Sequence, residues 1–340
     1  MHPLLAAQHA QAAGALPEPV RGYYAAGAGQ EVARDEAERA WQELRLRPRV
    51  LRDVSAVDTS LDLLDCRLGT PVLAGPTALH GLAHPEGEAE TARGVAAAGS
   101  LLVVSSRASR RLEEVPAGPW WFQAYVLRDR GLTRALVQRA AAAGASAVVV
   151  TGDTPYLGIR PGAGRLDLAA DPLVNLAEHL TGGDRPDATA QDPSAGLEVI
   201  AELTESGGLP VLVKGVLRAD DARACLDAGA AGVIVSNHGG RQLDRTVATA
   251  RALPEVAEAV AGLAPVLVDG GVRSGLDVLC ALALGADAVL LGRPVLWALA
   301  ADGAAGVQAC VQALTDELAH AMGLAGASRL GELPADLVAR

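Results

Sequence analysis

Ser236-Asn237-His238-Gly239-Gly240-Arg241-Gln242-Leu243-Asp244 follows an apolar run, residues 231–235, and brings together residue types that do chemistry as a set. A histidine titrates near neutrality and takes a proton as a general base. An arginine three positions on presents a planar fork that matches a carboxylate. The glycines between them let the backbone turn sharply beside a ligand. A proton acceptor and an anion clamp at one point of the chain are what oxidation of a hydroxy acid requires. The plainer reading is a surface loop that happens to hold one His and one Arg, and the rest of the chain weighs against it.

Lys214 is the second feature. It is the only lysine in a chain rich in arginine, and it ends the apolar run Val211-Leu212-Val213. A lone lysine there suggests a task that a bulky planar guanidinium cannot perform. A compact ammonium can sit beside an electron-accepting ring and offset the charge of its reduced form, or an amine of depressed pKa can form a Schiff base. The third feature is a pair of glycine-arginine loops, Asp269-Gly270-Gly271-Val272-Arg273 and Gly292-Arg293. Glycines expose backbone N–H groups, helix N-termini add partial positive charge, and the arginines add direct contacts, so the two loops together read as a phosphate site.

These residues need elements that position them, and the chain supplies eight. Apolar, β-branched runs at residues 71–74, 101–104, 120–122, 147–150, 211–213, 231–235, 266–268 and 288–291 each end on polar or glycine residues. Stretches of helical spacing lie between them, among them 132–143, 219–228 and 276–284. Eight alternating strands and helices with polar strand ends predict an α/β fold, a (β/α)8 TIM barrel, with its chemistry at the C-terminal face. A doubly wound sheet is the competing architecture and would gather its chemistry at one crevice. A single domain over 1–340 is expected, with 1–45 as N-terminal capping helices, 70–300 as the barrel and 301–340 as C-terminal helices. The two tryptophans at 120 and 121 straddle one strand, so one should face the barrel interior and the other the helices.

Composition sets limits. Half of the 340 residues are hydrophobic, yet no uninterrupted apolar segment has the ~20 residues of a membrane span. No basic region followed by an apolar core marks a signal peptide at the N-terminus, and the C-terminus shows no targeting tripeptide. The four cysteines are widely spaced with no metal-type pair, so reduced thiols in a cytoplasmic protein and no metal are expected. A net charge of −11 argues against nucleic acid as a partner.

Taken together, the motifs resemble those of the FMN-dependent α-hydroxy-acid oxidase and dehydrogenase family. The resemblance runs from Tyr23-Tyr24-Ala25-Ala26-Gly27-Ala28 to about Leu330 and includes Arg47-Pro48-Arg49, Pro76-Thr77-Ala78, His84-Pro85-Glu86-Gly87, Gln123-Ala124-Tyr125, Thr151-Gly152-Asp153-Thr154-Pro155 and the three motifs above. It implies FMN as cofactor and oxidation of an L-2-hydroxy acid to the 2-oxo acid. On this resemblance His238 removes a proton as two electrons pass to the flavin, and Asp153 stabilises the resulting imidazolium. Arg241 and Tyr23 hold the substrate carboxylate, with Arg160 on the loop after the fourth strand as a second clamp, and Tyr125 bonds the substrate oxygen. Lys214 faces the N1–C2 edge of the flavin. Ser105, Gln123, Thr151, Ser236 and the backbone at Pro76, Thr77 and Ala78 contact its ring. Gly270, Gly271, Arg273, Gly292 and Arg293 bind its phosphate, with Asp269 on the ribityl chain. The resemblance also implies a homo-oligomer, a tetramer or octamer. Lacking a haem or membrane segment, the chain is expected to use O2 as acceptor, with another electron acceptor as the alternative and a Schiff-base lyase using Lys214 as the reading from another class.

Three positions depart from the family. Arg107 stands where members carry a bulky aromatic beside the substrate's side chain, which either admits a polar or acidic substrate or leaves the arginine turned to solvent. The stretch 162–193 is shorter than the usual loop after the fourth strand, and its polar part, 182–191, reads as mobile. Gly152 replaces a bulkier residue, which would leave extra room near the flavin. Of the other histidines, His84 reads as structural, His80 as a pocket or surface residue, and His2, His9, His179 and His320 as solvated.

Overall fold

The computed structural model describes residues 1–115, 117–163, 174–176 and 188–339. Most of 162–193, including His179 and the 182–191 stretch up to 187, therefore lies outside the described residues. Eight parallel strands close into a barrel in the order β3 (Val72–Ala74), β4 (Leu102–Ser105), β5 (Trp120–Ala124), β6 (Val148–Thr151), β7 (Val211–Val216), β8 (Gly232–Val235), β9 (Val266–Asp269) and β10 (Ala288–Leu291), which pairs back with β3. All eight fall where the apolar runs predict them, and the (β/α)8 TIM barrel holds.

The side-chain period of two sorts the strand residues into two layers. Leu73, Leu101, Val103, Trp121, Val149, Leu212, Ile234, Leu267 and Leu290 fill the interior. Their neighbours Val72, Leu102, Val104, Trp120, Phe122, Val148, Val213, Val235 and Val289 face the surrounding helices. Trp120 and Trp121 divide as their spacing predicts. The inward series, continued by two residues toward the C-terminal ends, reaches Ser105, Gln123, Thr151, Lys214, Ser236, Asp269 and Gly292. One register decision thus places the polar set on top of the apolar plug.

The other end is stoppered by an antiparallel hairpin, β1 (Leu61–Leu63) and β2 (Cys66–Leu68), whose Leu63 and Leu68 join the interior cluster. Nothing in the pattern of the sequence singles out this hairpin, because its strands are three residues each. Helices α4 (Gly87–Ala97), α5 (Arg130–Ala142), α6 (Glu198–Gly207), α7 (Ala219–Asp227), α8 (Thr249–Val260) and α9 (Gly275–Ala283) lie between the strands. The chain closes on α10 (Arg293–Ala325), which starts at the Gly292-Arg293 motif and kinks at Asp302-Gly303. The helical C-terminus therefore begins eight residues before the expected boundary at 301. By length and mean hydropathy α10 matches a membrane span, the one such helix among the described residues, but polar residues interrupt it and its apolar face packs on the barrel, on α4 and on the N-terminal helix Pro3–Ala15.

Three N-terminal helices, α1 (Pro3–Ala15), α2 (Glu18–Ala25) and α3 (Val32–Gln42), precede the barrel. They are fastened over the C-terminal face by the 238–244 loop. Asp244 accepts from the amides of Gln30 and Ala33 at 2.8 and 3.0 Å, and Gly240 O accepts from Ala28 N at 2.8 Å. Gly240 has φ +71°, and a Cβ there would lie 2.5 Å from Arg34 N, so only glycine lets the loop meet the cap this closely.

Candidate active site

A cavity of about 390 Å³ opens at the C-terminal face of the barrel, between the strand ends and the cap. Tyr23, Pro76, Thr77, Ala78, Ser105, Arg107, Gln123, Tyr125, Thr151, Arg160, Lys214, His238, Arg241, Asp269, Gly270, Gly271, Arg273, Gly292 and Arg293 all line it. Of the residues given a catalytic, substrate or FMN role in the sequence only Asp153 and Ser236 do not, and both stand directly behind residues that do. Tyr24, Leu79, Leu157, Gln191, Gly239 and Gln242 also line the cavity without having been assigned a role. Tyr24 was quoted only as part of its motif, and its buried hydroxyl donates to Leu79 O at 2.6 Å.

Two base–carboxylate pairs organise the floor. Lys214, buried at the end of β7, lies 2.9 Å from Asp269 Oδ2 across the barrel and donates to Ser236 Oγ at 2.7 Å. Burial by itself favours the neutral amine, but the carboxylates of Asp269 and Asp153 outweigh it and hold the Lys214 pKa above its ordinary value. A lysine paired with Asp269 and pushed toward its charged form is poorly suited to attack a carbonyl, which counts against the Schiff-base reading. His238 Nδ1 lies 3.0 Å from Asp153 Oδ1, so the ring's Nε2 is left without a partner among the described residues. Burial pushes the Asp153 carboxyl toward its neutral form, but the neighbouring His238 and then Lys214 more than offset this and keep its pKa below the usual value.

The backbone under this second pair is strained on purpose-built residues. His238 has φ +58°, a left-handed conformation costly for a non-glycine residue. Ser236 Oγ accepts from His238 N at 3.0 Å, so one hydroxyl holds both Lys214 and His238. On the other side, Gly215 has φ +110° at the register shift between β7 and β8, and a Cβ there would come within 2.6 Å of Asp153 Cβ. That glycine lets Asp153 sit beside the lysine-bearing strand.

One wall of the cavity is a hydrogen-bonded row across three adjacent strands. Ser105 Oγ donates to Gln123 Oε1 at 3.0 Å, and Gln123 Nε2 donates to Thr151 Oγ1 at 2.9 Å. The row fixes the orientation of the Gln123 amide, all three residues being buried. The opposite end is cationic. Arg293 donates to Tyr24 O, Gly239 O and Ala26 O at 3.1, 2.9 and 3.2 Å. Burial pushes its pKa down to about 9, with Arg241, Arg273 and Arg34 adding repulsion. Arg273 pairs with Glu38 at 3.0 Å. Arg241 donates to Tyr23 O and Ala26 O at 2.9 and 2.8 Å and lies 5.2 Å from the Tyr23 ring centre. Burial, then Arg160, push it down to about 10. Burial likewise raises the Tyr125 phenol, with Tyr23 and Asp153 adding to it.

Four sequence readings are corrected. Ser236 is fully buried off the cavity and acts through Lys214 and His238 rather than at its wall. His80 is neither a pocket nor a surface residue: it is buried, with Nε2 2.6 Å from Thr77 Oγ1 and Nδ1 2.8 Å from Thr91 Oγ1. Gly152 does not line the cavity, and a Cβ on it would meet Val213 and Lys214 O, so its smallness adds no room there. His2 is half-buried and caps α1, accepting from Leu4 N at 3.2 Å. His84 is structural as read, accepting from Glu86 N at 3.2 Å. Cys225, Cys280 and Cys310 are free and buried, and burial pushes their thiols up to about 11, 12 and 12. No group of three or more metal-ligating side chains occurs among the described residues.

Residues 12–340 match the model of the FMN-dependent dehydrogenase family. The chain belongs to that family. It is 42% identical to an L-lactate oxidase of Nostoc sp., over 92% of this chain and 91% of that one. It is equally 42% identical to the glycolate oxidase of Spinacia oleracea, over 94% and 90%. A crystal structure of mandelate oxidase superposes with a TM-score of 0.90 at 40% identity, covering 97% of this chain and 96% of the other. FMN is accordingly the cofactor, and the cavity fits it on two counts. Asp269 Oδ1 is buried with no partner among the described residues, an acceptor waiting for a hydroxyl. The Arg273–Arg293 end joins two arginines, the Gly270-Gly271 turn and the N-terminus of α10, whose Gly292 cap supplies no side-chain bond. That is a site for a phosphate.

Proposed function

We propose that the protein is an FMN-dependent (S)-2-hydroxy-acid oxidase, with His238 as the base. The observation that carries the reading is the His238–Asp153 pair. Its Nδ1 bond to a carboxylate orients the ring and leaves Nε2 as the proton acceptor at the cavity. Asp153, kept ionised, stabilises the imidazolium that forms when the substrate's proton arrives. Arg241, with Arg160 beside it, takes the substrate carboxylate, and the Tyr23 and Tyr125 phenols bond its polar oxygens. The carboxylate also relieves the burial that pushes Arg241 down. When bound, FMN would supply the acceptor for the two electrons, with O2 reoxidising it to give hydrogen peroxide. Lys214 holds positive charge beside the site where that acceptor gains electrons, and Asp269 keeps the lysine charged. The Ser105–Gln123–Thr151 row and the backbone at Pro76–Ala78 cradle the ring.

Anaerobic addition of (S)-2-hydroxy acids to the purified yellow protein tests this. The expected result is loss of the flavin's visible absorbance and its return on admitting air, with one peroxide per turnover. Bleaching that air does not reverse, but that an artificial acceptor does, would make the protein a dehydrogenase of the same family. No bleaching by any 2-hydroxy acid would overturn the reading.

A further inference from the structure

The charges around the cavity do not balance after the reaction above is accounted for. Six Lys and Arg side chains line it, Arg107, Arg160, Lys214, Arg241, Arg273 and Arg293, and the one acid at its wall among the described residues is Asp269. Asp269 is taken by Lys214, a phosphate answers Arg273 and Arg293, and a single carboxylate answers Arg241 with Arg160. Arg107 is left over. It follows β4 directly, its amide donating to Ser105 Oγ at 3.1 Å, and its side chain runs along the cavity wall rather than out to solvent. Its guanidinium makes one hydrogen bond, to Thr189 O at 2.9 Å, which leaves most of its five donors unused. Among the described residues the ionisable groups that face it are the phenols of Tyr125 and Tyr23, and no carboxylate does; burial lowers its pKa. An arginine desolvated without a counter-ion is costly, and such a group is retained where a ligand supplies the anion.

We infer that Arg107 recognises a second anionic group on the substrate, so that the preferred substrates are 2-hydroxy acids bearing a further carboxylate or phosphate beyond C2. The inference rests on the oxidation reading above and extends it to substrate class. The planar fork of Arg107 pairs with either anion, and the anion's placement opposite Arg241 fixes the substrate between two clamps with C2 facing His238.

The test is anaerobic flavin reduction by the holoenzyme, giving kcat/KM for (S)-enantiomers of two kinds. Lactate and 2-hydroxybutyrate carry one anion; malate, 2-hydroxyglutarate and 3-phosphoglycerate carry two. The expected result is at least a roughly tenfold preference for a doubly anionic substrate. Malate or 2-hydroxyglutarate leading assigns a carboxylate, and 3-phosphoglycerate leading assigns a phosphate. In Arg107→Met the ratio of doubly to singly anionic kcat/KM falls on the order of 10²-fold, and Arg107→Lys restores part of it. Singly anionic acids reacting as well as doubly anionic ones in the wild type, or a ratio unchanged in Arg107→Met, would overturn the inference. If Arg107→Met does not retain flavin, the wild-type preference and the Arg107→Lys ratio decide. If no 2-hydroxy acid reduces the flavin, the oxidation reading fails instead. Arg107 is then still judged by whether oxaloacetate and 2-oxoglutarate perturb the flavin spectrum at lower concentration than pyruvate in wild type but not in Arg107→Met.

Discussion

Two base–carboxylate pairs stand a strand apart at the top of one barrel, and they differ in depth. The Lys214–Asp269 pair leaves 5% and 14% of its side chains exposed, and the His238–Asp153 pair leaves 21% and 17%. Both are about 3 Å long. In the first the cation is an amine on a rigid strand, sealed from water and held charged by two carboxylates, so its charge is a constant of the site. In the second the base is a ring on a strained loop, with one nitrogen anchored and the other turned to the cavity. On the proposed reading the same pairing serves as a fixed field in one place and a proton carrier in the other. What separates them is burial and the element that carries the base, a strand end in one and a loop in the other.

The largest effect expected falls on the switching pair. His238→Gln should keep FMN bound yet slow anaerobic reduction by substrate about 10²–10⁴-fold, because a positioned base is lost while the phosphate end is untouched. An undiminished reduction rate would show that the ring is not the base. Asp153→Asn sharpens the same point. It removes the anion that orients the ring, and the rate should fall by a factor between wild type and His238→Gln, with substrate affinity changing less than kcat.

The fixed pair should show its importance in folding. Lys214→Met leaves Asp269 buried beside no cation and should cost about 3–5 kcal/mol in stability, read from denaturant unfolding of the flavin-free protein. Adding Asp269→Asn should recover part of that loss, and a strictly additive double variant would deny the coupling. The smallest effect is on pH dependence. Asp153 is depressed in the folded state, so its contribution is fully present above the ordinary carboxyl pKa of about 3.9 and is lost as pH falls below it. Unfolding scans of wild type and Asp153→Asn should therefore diverge at neutral pH and converge below about pH 4. Parallel curves across that range would mean the carboxyl is not perturbed.

Much of this was legible in the sequence because period-two alternation and strand-end polarity report the same register. Leu212 and Lys214, like Ile234 and Ser236, lie two residues apart on the same inward face, apolar below and polar at the strand end, which is why the barrel and the cavity-lining set follow from pattern. What pattern does not report is depth behind the wall. Ser236 and Asp153 share the inward register, yet both lie one layer back, because the bulge at Gly215 and the left-handed turn at His238 shift them. His80 was misread for the same reason: a polar residue between glycine-rich turns looks exposed until Thr77 and Thr91 close on both its nitrogens. The hairpin under the barrel left no signal, since six residues with a tight turn are too short to show a period.

The contrast between the two pairs is tested most directly by measuring two quantities in the same two variants, anaerobic reduction by substrate and the affinity of the flavin for sulfite. Sulfite adds without a base and places negative charge on the flavin, so it senses the fixed field alone. His238→Gln should lose reduction by the factor above and keep sulfite affinity within about an order of magnitude. Lys214→Met should weaken sulfite binding by well over that. Sulfite affinity unchanged in Lys214→Met, together with normal reduction by substrate in His238→Gln, would contradict the division of labour between the two pairs.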